Sequence, residues 1–379
     1  MAAASLQAMD LTCLRAVLSE LQPLLLPSRF EKAQQADAQT LQLGFRTLEG
    51  RLWLELSWLA EAPRLHAIEP PPRQGDGSTL AQQLQHGLGG LALVSLEQQG
   101  WERVVELGFA TRPGEPQQRW LVLELMGRHS NLFLLDEQRR VVTAARQVRQ
   151  QLLLMLQLAA LALQGTGDLY NPPPPLAGQP PSLSESVEHW QSQLSLLPVT
   201  LKQALQGAYQ GISPSLAIQL AGDEPGQSAA LLAEPVQDLS AGQWQQLWQR
   251  WQQWLSAMES GRFQFSPGGG CAYRCWLEGD TPQPKEPLAI NSAVAAYHHH
   301  QLQQPCCNSG NTTCGNGLSN TCSASAASWS INNSCWRRWR TAMGCNSRPM
   351  PCCAWRSRVV NRWPKHKRST SEPASCVDP

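Results

Sequence analysis

Over the first three hundred residues, apolar positions recur with two different periods. Asp10 is followed by Leu11, Leu14, Leu18 and Leu21, with Val17 beside them. That spacing behind a good N-cap residue predicts a helix ending near Pro23 or Pro27. The period then changes to two. Leu41, Leu43 and Phe45 alternate with polar residues, a turn falls at Glu49-Gly50, and Leu52, Leu54, Leu56 and Trp58 alternate again. This is the pattern of a β-hairpin. Pro70, Pro71 and Pro72 make a stiff loop, and Leu80 to Leu88 reads as a short helix closed by Gly89-Gly90. From 91 to 148 the pattern is a meander of strands, at 91–96, 101–109, 120–126, 131–135 and 141–148. Arg112-Pro113-Gly114, Gly127-Arg128-His129-Ser130 and Asp136-Glu137-Gln138 separate them as turns. The expected fold class is α+β, with an antiparallel β-rich N-terminal domain.

Tyr170-Asn171, the proline run 172–175 and Pro180-Pro181 mark a boundary, after which residues 182–262 are helical in character. Trp244, Leu247, Trp248, Trp251 and Trp254 fall on one helical face. Such a stripe is far more often core packing than a base-stacking platform. Gly211-Ile212-Ser213-Pro214, followed by Ala217 and Leu220, has the form of the turn and second helix of a helix-hairpin-helix. Backbone N–H groups at such a turn can hold a phosphate, although a plain αα-hairpin gives the same pattern. A last helix starts near 288, passes Tyr297 and His298-His299-His300, and meets Gln and Leu at 301–304 in what looks like the opening of a coiled coil. The histidine triplet, on a solvated helix start without acidic or Cys partners, is expected to hold no metal. The expected organisation is an α+β domain over 1–175, a helix-hairpin-helix-like domain over 182–262, a return segment and coiled-coil start over 263–304, and an aberrant, disordered tail over 305–379.

Composition enters through that tail. The 379-residue chain is 42% hydrophobic and 16% charged with a net charge of +1, which excludes wholesale disorder. Residues 1–304, however, hold 20 Lys+Arg and 27 Asp+Glu, a net of −7, and residues 305–379 hold 10 and 2, a net of +8. Nine of the 12 cysteines and only one leucine, Leu318, lie in this last stretch. The cysteines show no CxxC pair or zinc-type Cys/His grouping, and the stretch has no hydrophobic period. It reads as an out-of-frame or otherwise damaged translation product. The rival reading is a basic, nucleic-acid-binding arm with interleaved tryptophan, as in Trp336-Arg337-Arg338-Trp339-Arg340.

No apolar run reaches bilayer-spanning length; the longest, Leu152 to Leu163, is broken by Gln157. The N-terminus lacks the pattern of a signal peptide. Three cysteines in about 300 residues suit a reducing cytoplasm. There is no GxxxxGK, GxSxG, HExxH or GxGxxG, and His66, His86, His129 and His189 sit in separate segments. The residues therefore point to a non-enzymatic, two-domain protein with no cofactor and no metal. Glu102-Arg103 reads as a surface pair at a strand start and Arg128-His129 as a solvated turn. An RNA binder with a body charge of −7 must cluster its basic residues locally, and no run of the sequence locates such a cluster.

The string Met126-Gly127-Arg128-His129-Ser130-Asn131, preceded by Leu121-Val122-Leu123-Glu124-Leu125, resembles the hallmark of the NFACT family of ribosome quality control proteins, RqcH among them, a family also labelled fibronectin-binding protein A. The opening Met9-Asp10-Leu11 helix, Trp101-Glu102-Arg103-Val104-Val105, the Pro-rich segment after Tyr170, the Gly211 hairpin and Asn291-Ser292-Ala293 through Tyr297 follow the same order. The resemblance covers about 9–304. It implies an N-terminal domain, a helix-hairpin-helix domain, a long coiled coil and a C-terminal RNA-binding domain. It further implies binding to tRNA, alanyl-tRNA in particular, and to a large ribosomal subunit carrying stalled peptidyl-tRNA, in support of untemplated C-terminal alanine tailing. By the same resemblance the tRNA contacts are Asp10, Glu102, Arg103, Arg128 and His129; Glu102 stands where the family has Asp. Residues 151–164 do not look like the family's linker and read as a second local frame disturbance. With the coiled coil lost after 304, the chain is expected to be impaired in tailing. The competing classes are a fibronectin-binding surface adhesin, which the absent signal peptide and anchor disfavour, and a glycosylase-type DNA-repair enzyme, which the absence of a catalytic Pro or Glu after Met1 and of a zinc finger disfavours.

Overall fold

The computed structural model of the chain describes residues 6–73, 78–146, 165–267, 271–276 and 286–303. The readings made above for 147–164 and for the tail after 303 lie outside the described residues.

Helix α1 (Leu11–Leu25) begins where its cap requires: the Asp10 carboxylate accepts a hydrogen bond from Cys13 N at 2.9 Å. The helix runs through Pro23 and stops at Leu25, because Leu26 turns extended ahead of Pro27. It is buried on nearly every side, through Leu11, Leu14, Val17, Leu18 and Leu21. Around it lies one antiparallel sheet of nine strands: β1 (Ser28–Asp37), β2 (Thr40–Arg46), β3 (Arg51–Ser57), β4 (Arg64–Ile68), β5 (Ala92–Gln98), β6 (Val104–Ala110), β7 (Arg119–Glu124), β8 (Asn131–Leu135) and β9 (Val141–Ala144), in the order β4-β3-β2-β1-β5-β6-β7-β8-β9. Helix α2 (Thr79–Leu88), capped by Ser78, packs across β1.

The α+β class and antiparallel pairing follow the sequence expectation. The hairpin around Glu49-Gly50 is β2–β3, in the register Leu43 opposite Leu54 and Phe45 opposite Leu52. Two strands, β1 and β4, escaped the periodicity. Of the four buried residues of β1 only Phe30 and Ala33 are apolar, and two bulges break the alternation. The second strand of the meander starts at Val104 rather than Trp101, so that Trp101, Glu102 and Arg103 precede it.

The helical part is α3 (Val187–Leu194), α4 (Leu201–Ala208), α5 (Pro214–Ala221), α6 (Pro225–Ala233) and α7 (Ala241–Ser260). A capping box joining Ser240 and Gln243 opens α7, and Gly261, in the left-handed region, closes it. The tryptophan stripe is core. Trp251 and Trp254 are fully buried, and Trp251 meets Trp190 and Tyr209 with ring centres 5.6 and 4.7 Å apart. A two-residue ribbon, β10 (Ser266–Pro267) with β11 (Tyr273–Arg274), leads back toward helix α8 (Ala289–Gln303), which packs on β4 and α1. One hydrophobic cluster runs from Met9 to Tyr297 and includes residues of both the sheet and the helices.

The histidine triplet lies within the helix rather than at its start, and its members divide: His299 is exposed, whereas His298 is not. His298 is buried and stacks on His66 of β4, ring centres 6.4 Å apart and planes 13° apart. Packing α8 onto β4 makes His298 a core side chain, and burial depresses the pKa of both rings.

Candidate nucleic-acid interface

Three of the sequence-nominated segments meet at one joint. The Asp10 carboxylate that caps α1 with Oδ1 uses Oδ2 to accept from Ser213 Oγ at 3.1 Å and Ser215 Oγ at 3.2 Å. Ser213 is in turn the N-cap of α5, accepting from Leu216 N at 2.9 Å, with Pro214 in the first turn. One carboxylate thus ties the start of α1 to the start of the second helix of the hairpin. The turn itself requires glycine. Gly211 has φ +77°, and a Cβ there would fall 2.9 Å from the Trp101 ring and 3.1 Å from Leu11. The hairpin is therefore seated on the residue immediately before Glu102-Arg103.

Arg103 is half-buried and donates from Nη1 to the Met9 carbonyl at 3.2 Å. Burial lowers its pKa, against which the nearby Asp10 and then Glu102 carboxylates act. This is its one hydrogen bond from the side chain among the described residues. A guanidinium has five N–H groups, so most of its fork stays available to a ligand. Glu102 does not pair with it. Glu102 Oε1 accepts from Leu176 N, in the Pro-rich segment, and its backbone carbonyl accepts from Gln98 Nε2 at 2.7 Å. The surface-pair reading of Glu102-Arg103 therefore gives way to two side chains with separate anchors.

The hallmark turn lies at the same end of the sheet, because β6 and β7 pair there and Leu125 N donates to the Arg103 carbonyl at 2.9 Å. Its residues divide cleanly by role. Gly127 supplies φ +56° for a single 3-10 turn. Ser130 Oγ, fully buried, accepts from Met126 N at 2.8 Å. Asn131 Oδ1 accepts from Leu132 N and Arg146 N, each at 2.9 Å. Arg146 donates to the carbonyls of Arg128 and Trp58. Arg128 and His129 alone turn their side chains outward; Arg128 Nε donates to His129 Nε2 at 3.0 Å. Among the described residues neither bonds to Asp10, Glu102 or Arg103. The arrangement is therefore two adjacent features, a semi-buried Arg103 beside the Asp10 joint and an exposed Arg128-His129 turn. Sequence reasoning missed Ser213 and Ser215 as partners of Asp10, and Arg146 as the brace of the turn. The only signal for Ser213 was its N-cap position before Pro214.

Among the described residues no three His, Cys, Asp or Glu side chains group as a metal would need, and no described helix is long and apolar enough to cross a membrane.

An antiparallel sheet wrapped on a central helix, joined to a helical hairpin, has a known counterpart. The profile of the NFACT N-terminal and middle domains matches residues 10–320, and the chain belongs to that family. The match passes the composition break at 305. The fold is similar to the N-terminal part of the fibronectin/fibrinogen-binding protein from Streptococcus suis, with a TM-score of 0.54 and 17% identity over 77% of this chain and 99% of that one. It is also similar to the fibrinogen-binding protein from Staphylococcus aureus, with a TM-score of 0.54 and 18% identity over 74% and 97% of the two chains. No curated protein sequence matches this chain.

Proposed function

We propose that this chain is a non-enzymatic RNA-binding factor of ribosome quality control, and that the Asp10–Arg103 joint with the Arg128-His129 turn contacts tRNA, alanyl-tRNA in particular, on a stalled large ribosomal subunit. Family membership supports the ribosomal class. The observation that carries the reading is the state of Arg103. It is tethered by one N–H to Met9, held in its charged form against burial by Asp10 and Glu102, and left with donors to spare. Such a group suits recognition of sugar and phosphate oxygens at a fixed position better than loose electrostatic capture. Peptide-bond formation belongs to the ribosome, so alanine tailing asks this protein for no nucleophile and no metal.

The test is recovery of bound RNA from cells together with tRNA titration of the purified chain. Large-subunit rRNA and tRNA are expected to co-purify. Arg103→Ala is expected to weaken tRNA binding and to lower the slope of log K against log salt by about one phosphate contact. Unchanged binding at two salt concentrations, in a folded variant, would remove Arg103 from the interface. The second reading is an adhesin that binds fibronectin or fibrinogen, as the names of the two structural neighbours say of those proteins. It rests on likeness of fold at 17 and 18% identity. Capture of fibronectin without tRNA by the same purified chain would favour it.

A further inference from the structure

A groove of about 850 Å³ opens on the outer face of β1–β3, between Pro70-Pro71-Arg73 on one side and Gly89-Gly90, beyond α2, on the other. Strand register builds its floor. Arg29 pairs with Arg46 and Arg46 with Arg51, so three guanidinium side chains stand in one row across three strands. The neighbouring row on the same face is Lys32, Gly44 and Trp53, since directly opposed residues share a face. A Cβ on Gly44 would fall 3.0 Å from the Trp53 ring, so the indole lies across that glycine as a flat, half-buried plate. Among the described residues Glu31 is the only acid lining the groove. It is shared by Arg46 and Arg51 at 2.6 and 2.8 Å, with both arginines mostly exposed, and the pair holds its carboxyl below the usual range, the Arg46 hydrogen bond first. Arg29, Lys32 and Arg73 form no ion pair among the described residues.

Four lining cations, Arg29, Lys32, Arg51 and Arg73, therefore face one carboxylate, with Arg46 beside it, on a body whose net charge is −7. We propose that this groove binds a single-stranded segment of RNA, with Arg29, Lys32 and Arg73 on phosphates and Trp53 stacking a base. A cationic channel with an aromatic plate is the chemistry that single strands require. The plate argues against an acidic peptide, which has no use for a stacking surface. The groove is separate from the Asp10–Arg103 joint, and the proposal rests on the RNA-binding reading only for choosing RNA over other polyanions.

The experiment is photocrosslinking of the full chain to a short 4-thiouridine-labelled oligouridine, with mapping of the crosslinked peptides, alongside salt titration and a polyglutamate competitor. Crosslinks are expected in 29–34, 51–53 and 70–73. The double variant Lys32→Gln/Arg73→Gln is expected to keep its fold and to lower the salt slope by about 1.4, two contacts at about 0.7 each for single strands. Trp53→Ala is expected to weaken binding by at least about fivefold and Trp53→Phe to retain most of it. Crosslinks confined to 305–379, an unchanged slope in the double variant, or displacement of RNA by polyglutamate at equal charge concentration would each overturn the proposal. Arg103→Ala keeps the two readings apart: it is expected to leave the groove crosslinks intact. Groove crosslinks without tRNA binding would sink the tRNA assignment and not the groove.

Discussion

Glu124 ends β7 just ahead of the hallmark turn, and its carboxyl is buried with one partner among the described residues, the Tyr170 hydroxyl, which donates to Oε1 at 2.8 Å. Burial pushes the carboxyl up to about 7, and the tyrosine only partly opposes it. Tyr170 is itself held protonated, by burial first and then by that carboxyl. Between the free value of about 4.3 and about 7 the folded chain keeps a proton that the unfolded chain has released. Stability therefore falls as pH rises through that window, by on the order of 3 kcal/mol in full. Glu124→Gln, which still accepts from Tyr170, is expected to remove that slope and to melt higher at pH 8. Melts of both proteins from pH 5 to 8 decide it, and parallel curves would count against the assignment. The difference must be read between the two proteins, because buried His66 and His298 act in the opposite sense. Their depressed pKa values make stability fall as pH drops below about 6.5. At this scale the sequence spoke only where partners are local. The cap at Asp10 was legible because Cys13 is three residues away, whereas the Arg103 tether lies 94 residues off at Met9 and the His298 stack lies across the sheet on His66.

Among the elements, α7 was read best and β1 worst, for the same reason. A helix that buries one face prints a 3.6-residue stripe, and Trp251 and Trp254 lie on it. A bulged strand that buries only two apolar side chains prints almost nothing, so β1 was silent and the row Arg29–Arg46–Arg51, which exists only through register, was invisible along the chain. The packing of α7 gives a direct prediction. Trp251, enclosed by Trp190, Tyr209 and Trp254, should cost about 3–5 kcal/mol when truncated to alanine. Trp254→Phe keeps much of the apolar area but takes the indole N–H from Thr12 Oγ1, now 2.9 Å away. It should cost about 1–3 kcal/mol for the buried hydroxyl left behind. Urea denaturation measures both; a Trp251→Ala loss below about 1 kcal/mol would mean the cluster collapses to fill the gap.

At the scale of the whole molecule, polar ties stitch the N-terminal segment, α1, α5 and α8 together. The Gln7 backbone N–H donates to the Tyr297 hydroxyl at 2.8 Å, and the Gln7 side chain donates to the Tyr273 carbonyl at 2.9 Å. Glu20 accepts from the N–H groups of Ile290 and Asn291 at the start of α8, each at 2.9 Å. Trp276 Nε1 donates to Gln219 at 2.8 Å. With a hydrophobic cluster continuous across these ties, tryptophan fluorescence, which samples both α7 and the sheet through Trp53, Trp58, Trp101 and Trp120, and far-UV dichroism should follow a single transition. Asp10 is the place to test this, since it caps α1 and accepts from both hairpin serines. Asp10→Ala loses a cap worth about 0.5–2 kcal/mol and takes the shared carboxylate from Ser213 and Ser215, leaving their hydroxyls, among the described residues, only each other as acceptor at 2.9 Å. Both probes should shift together to lower denaturant. Binding of tRNA should weaken as well, because the Met9 carbonyl that holds Arg103 sits next to the lost cap. Asp10→Asn keeps an oxygen for Cys13 and should recover most of the stability. If the two probes instead separate in Asp10→Ala, the hairpin domain is an independent folding unit. The joint would then be a hinge between two bodies rather than a weld within one.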